Sequence, residues 1–191
     1  MLKTIALPLI LFANKAGYLG LYLYMLLVGT FIPVPSEIIL IPSGYLASIG
    51  EKSFLYLLIS GAFGSLSGAL INYFLSKYIV KRFLNGKKIL VKVEKFFKRH
   101  GKISVFLAPL TPGMGQYISI PAGLSHMPLK EFIPLTFLAN IIWVGFMLLI
   151  GYIFGEGETA HKNAALFSLI LLGFVIFFVS VYVLREVRVR G

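Results

Sequence analysis

Glu37 is the one acid that this 191-residue chain sets inside an apolar segment. It stands in "FIPVPSEIILIPSG", Phe31–Gly44, among prolines at 33, 35 and 42. An ionisable group at membrane depth is costly, and by default it does something: it relays a proton, holds an ion or faces a ligand. Each proline removes a helical hydrogen bond, so the stretch bares backbone polar groups that an unbroken helix would satisfy. Two roles are open for the acid. In one, Ser36 and Glu37 cap a helix that starts here, where a carboxylate suits the positive end of the macrodipole. In the other, Glu37 binds a proton or faces a lipid headgroup. The two are compatible.

A second stretch matches the first. Laid without gaps over "LTPGMGQYISIPAG", Leu110–Gly123, five of fourteen positions are identical: Pro33/Pro112, Ile39/Ile118, Ile41/Ile120, Pro42/Pro121 and Gly44/Gly123. Lys52-Ser53-Phe54 is echoed by Lys130-Glu131-Phe132, each opening a long apolar run. Glu37 falls opposite Gln116. Around the second break, Thr111, Gly113, Gly115, Gln116 and Ser119 join Pro33, Pro35, Ser36 and Glu37 as candidate lipid- or proton-binding residues. Asn72 and Asn140 lie deep in apolar runs; each is a candidate, although an interhelical hydrogen bond explains it as simply.

The elements that must position these residues are membrane helices. Mean hydropathy is +0.90, 58% of residues are hydrophobic and 13% charged. Phe54–Tyr78, Phe132–Phe154 and Ala164–Leu184 each reach the length of about 20 apolar residues that a bilayer core demands. Met1–Phe12 lacks a small-residue cleavage site and contains Pro8, so a short interfacial helix is expected at 1–14 rather than a signal peptide. The small residues Gly61, Gly64, Ser65, Ser67 and Gly68 predict a close helix contact.

Charge sets the expected topology. Net charge is +11, and ten of the basic residues fall between Lys77 and Lys102, against Glu94 alone. Lysine and arginine favour the cytoplasmic side, which places the 83–102 segment and the arginine tail there. Residues 85–101 have helical apolar spacing and predict an amphipathic surface helix, whose Lys87, Lys88, Lys92, Lys95, Lys98 and Arg99 would attract anionic headgroups. With both termini of 103–125 on one side, that segment must turn back. Its broken backbone fits only where protein or water surrounds it. The predicted fold is an all-α polytopic membrane protein, an inverted repeat of two re-entrant helical hairpins (18–49 and 103–125). Each hairpin is followed by a transmembrane helix (54–82 and 129–155), and a C-terminal transmembrane helix spans 163–185.

These segments resemble the DedA family, also called the VTT or SNARE-associated Golgi protein group. "PVPSEIILIPSGYLA" is similar to its proline-rich acidic hairpin. "GAFGSLSGALINYFLSKY" is similar to its glycine-rich helix, and "FFKRHGKISVFLAPLTPGMGQYISIPAGLSHMPLKEF" to its second hairpin. The resemblance implies transport of lipids across a membrane, as a flippase or scramblase of phospholipid or of a polyprenyl-phosphate carrier. It also implies paired acids and paired arginines linked to the proton-motive force in bacterial members. Here the family's second acid falls on Val28, and the two arginines fall on Pro109 and Gly115.

The expectation is therefore a lipid transporter of the cell membrane with its site between the hairpins. The alternative is a proton- or ion-coupled transporter of a small solute. Its partners are membrane lipids, with a homo-oligomer allowed. No nucleic acid, cofactor or metal is expected: there is no cysteine, and the three histidines lack ligand spacing. An enzyme is not expected either, because no intramembrane Ser-His or His-acid set is present.

Overall fold

A computed structural model describes residues 17–30, 32, 34–83, 97, 100–110 and 115–155. The predicted helices at 1–14 and 163–185 lie outside the described residues, as do Pro33, Thr111, Gly113 and the lysines and arginine of 87–99. Among the described residues every element is helical: α1 (Gly17–Gly29), α2 (Glu37–Ser48), α3 (Phe54–Phe83), α4 (Ser119–Leu124) and α5 (Leu129–Phe154). A further helical stretch covers 100–107, followed by 3-10 turns at Ala108–Leu110 and Gly115–Tyr117.

Phe54–Ser76 within α3 and Leu129–Phe154 are long and apolar enough to cross a membrane. At 1.5 Å per residue α1 and α2 are only about 20 Å long, short of a bilayer core of about 30 Å. The outward faces are apolar throughout. Phe74 is 61% exposed and Ile153 67%, where a helix facing water would carry charge.

Contacts fix the directions. Phe54 stacks on Tyr152, Phe63 on Phe137 and Tyr73 on Phe132, so α3 and α5 run antiparallel. α1 runs with α3: the Tyr18 carbonyl accepts from Ser60, Tyr22 pairs with Ser67, and the Gly29 carbonyl accepts from Asn72. α2 runs instead with α5, from Ser36 at Trp143 to Tyr45 beside Gly155. The chain thus reverses at 30–36, part way along both long helices. It reverses again between 110 and 119. Lys102 pairs with Glu131 and Leu110 shares a cluster with Trp143, placing 100–110 along α5, whereas Gly123 of α4 lies on Tyr73 and Ser76 of α3.

The arms of each reversal therefore diverge, one to each long helix. Lipid tails are as apolar as leucine, so such contacts depend on close packing. At Gly44 an added Cβ would overlap the Leu148 carbonyl, and at Gly151 the Ile41 carbonyl. Gly123, which the repeat aligns with Gly44, meets the Tyr73 carbonyl in the same way. The small-residue contact expected of α3 is present as well: Gly64 and Gly68 take the carbonyls of Tyr22 and Leu26.

Two local expectations change. The helix at 100–107 begins before residue 103 and passes through Gly101, so no break separates it from the end of the 85–101 segment. Gly101 leaves room there for the Phe97 ring, 3.0 Å from where a Cβ would stand. α2 also continues through Pro42, because that proline frees only the Ile38 carbonyl one turn from the helix start.

Candidate functional site

The first break is held by hydrogen bonds from both sides. Thr30 closes the end of α1 by donating its hydroxyl to the Leu27 carbonyl at 2.6 Å. The Tyr24 hydroxyl donates to the Pro35 carbonyl at 2.9 Å, satisfying a group that has left helical geometry. Ser36 stands at the N-cap of α2 but makes no side-chain cap bond. Its hydroxyl accepts from Trp143 Nε1 at 3.1 Å instead. The capping expectation is corrected for Ser36: its backbone is already helical, with φ −70° and ψ −28°, which turns the hydroxyl away from the amides it would cap. Glu37 occupies the first turn of α2, where the macrodipole favours its charge.

The second break closes on itself. Gly115 abuts Pro109, with a Cβ position 2.6 Å from the Pro109 Cα, so the two 3-10 turns touch without room for a side chain. These are the positions where the resembling family carries arginines.

The two breaks meet around a cavity of about 340 Å³. Val34, Pro35, Ser36 and Glu37 line it from the first break, and Pro109, Gly115, Tyr117, Ile118 and Ser119 from the second. Val28 and Gly29 of α1, Ser65 and Ala69 of α3, and Thr136, Asn140 and Trp143 of α5 complete the wall. Among the candidates, Glu37, Ser36, Pro35, Gly115, Ser119 and Asn140 are thus brought together. The backbone of Gln116 lies in the second turn.

Asn72 is placed otherwise. It is fully buried, and its Nδ2 donates to the Gly29 carbonyl at 3.2 Å, tying α3 to α1. Gly29 lines the cavity and Asn72 stands behind it, so this residue is an interhelical tie rather than part of the wall.

Two wall residues were not singled out in the sequence. Thr136 and Trp143 share a face with Asn140, at spacings of four and three residues along α5, which is the signal that could have found them. Thr136 is 2% exposed, and its hydroxyl has no hydrogen-bond partner among the described residues. A separate cavity, between Lys102, Ser125, His126 and Glu131, gathers His100 and His126 away from this wall.

A family model described as the VTT domain matches residues 34–153. A Lactococcus lactis protein named "Alkaline phosphatase-like protein" is 31% identical over 156 residues, covering 75% of this chain and 73% of its own. "Undecaprenyl phosphate transporter A" of Bacillus subtilis is 32% identical over 161 residues, covering 80% and 79%. The Staphylococcus aureus protein of the same name is 29% identical over 196 residues, covering 94% and 97%. No solved structure matches the chain.

Proposed function

The chain belongs to the VTT-domain family, the DedA group of the sequence resemblance, and from that premise we propose that it moves lipids across the cell membrane through the cavity between its two breaks. In this reading 18–49 and 103–125 are re-entrant hairpins that enter from opposite faces. α3 and α5 span the bilayer, and the end of the molecule at Lys102 and Glu131 is cytoplasmic. The family's transporter names support a membrane lipid-carrier role. The observation that carries the site is the meeting of Glu37 with Pro109, Gly115 and Ser119 around one cavity. Broken helices placed tip to tip bring polar backbone to mid-membrane without facing it to lipid, and a headgroup crossing the bilayer needs such a polar wall.

Phosphatase chemistry has no basis in this cavity. Its wall holds one carboxylate and no histidine, arginine or lysine, so neither a metal cluster nor a phosphate clamp can be assembled there.

The decisive experiment is reconstitution of the full chain in liposomes carrying fluorescent phospholipid or polyprenyl phosphate, with dithionite as the outer-leaflet quencher. The quenched fraction should rise from about half toward completion. If it stays at the single-leaflet value for every lipid tried, lipid transport is excluded. A proton- or solute-flux measurement on the same vesicles then tests the alternative, to which the lone Glu37 carboxylate would lend a coupling group.

A further inference from the structure

The segments that build the cavity, 17–49, 54–76, 103–124 and 132–154, contain no lysine, arginine or histidine, and Glu37 is their only acid. A chain of net charge +11 thus keeps its cations out of this wall and leaves one carboxylate in it. A bare phosphate placed here meets no counter-charge, in surroundings where an unpaired ion is poorly solvated.

Backbone amides do not take the place of the missing bases at the start of α2. The N–H groups of Ile39 and Leu40 both close on the Ser36 carbonyl, and the Ser36 hydroxyl is held by Trp143. A cation, by contrast, finds the Glu37 carboxylate, the face of an indole and two side-chain oxygens, those of Thr136 and Asn140, around one cavity. The Thr136 hydroxyl is an independent sign of a ligand, because it is buried on this wall with no hydrogen-bond partner among the described residues. An ammonium has three donors and no acceptor. It also gains from lying over tryptophan.

Resting on the reading of this cavity as a lipid-transport site, we propose that it takes the ammonium end of an amine-bearing lipid headgroup. Glu37 is the counter-ion, Thr136 and Asn140 are acceptors, and headgroups ending in a phosphate monoester are disfavoured.

The test uses the full chain in phosphatidylglycerol vesicles, with phosphatidylethanolamine, phosphatidylglycerol and phosphatidic acid labelled on the acyl chain so that each headgroup stays intact. The ethanolamine lipid should cross about tenfold faster than the other two. Glu37→Gln should bring that ratio to about one, and the near-isosteric Thr136→Val, which preserves packing volume, should lower it several-fold. Equal rates for the three lipids, fastest transport of phosphatidic acid, or an unchanged ratio in both variants overturns the headgroup assignment while leaving lipid transport standing. No transport of any lipid overturns both.

Trp143 is the only tryptophan, so its emission separates a headgroup from a free cation. Short-chain phosphatidylethanolamine should shift the emission where sodium or ammonium chloride at matched ionic strength does not. An equal response to the salts assigns the cavity to a free cation and sinks the headgroup proposal.

Discussion

Trp143 Nε1 donates to Ser36 Oγ across 3.1 Å, joining residues 107 positions apart in the chain. The bond fixes the start of α2 against the middle of α5 and sets Glu37 beside Thr136 and Asn140. Both partners are buried, so neither has water as a substitute.

Trp143→Phe leaves the Ser36 hydroxyl without its donor and should destabilise the protein by about 1–3 kcal/mol. Ser36→Ala should cost less in the Trp143→Phe background than in the native chain, because the shared bond is already gone. Thermal unfolding of the four proteins in one detergent measures this. Additive losses would mean that the bond contributes nothing.

Close packing of α2 on α5 makes a second expectation. Gly151→Ala drives a methyl into the Ile41 carbonyl, a backbone group that cannot rotate away, and should cost about 1–3 kcal/mol as an overpacked site does. Gly145→Ala meets only the Leu58 Cδ1 at 3.4 Å and should be tolerated. Equal melting temperatures for the two variants would contradict the reading of this contact.

Asn72 and Glu37 should separate in function. Asn72→Ala removes a tie between α1 and α3 and should lower stability by about 1 kcal/mol, with lipid transport retained by the folded protein. Glu37→Gln should cut transport more deeply at little cost in stability. The liposome assay, normalised to folded protein, compares them. A Glu37→Gln variant as active as the native chain would confine the acid to the helix start.

The absence of cysteine makes topology testable without background. Glu51→Cys should react with an impermeant maleimide from outside the cell, and Lys130→Cys only after the cytoplasmic face is opened. Both positions are exposed. Labelling of the two from the same side would refute re-entry of 103–125.

Much of this was legible in the sequence. Pro33, Pro35 and the Thr111–Gly115 run announced where helices stop, because proline and glycine act on the backbone they occupy. The five identities between Phe31–Gly44 and Leu110–Gly123 pointed to paired breaks, and Gly44 and Gly123 do press on the carbonyls of different long helices. Less legible was the fate of individual polar side chains. Asn72 and Asn140 looked alike, each an amide deep in an apolar helix; one turned out to tie α3 to α1 and the other to line the cavity. Ser36 looked like a cap and is instead the acceptor for an indole from α5.

Composition and spacing alone determined that the chain is helical and membrane-borne, where it breaks, and that Glu37 is the sole charge among the segments around those breaks. These are properties of a residue and its near neighbours: hydropathy, ring constraint, net charge. Tertiary structure alone decided which side chains share a wall. That outcome depends on which long helix each arm adopts and on how close glycine lets it come, so Thr136, Trp143 and Glu37 became neighbours only through packing between distant segments.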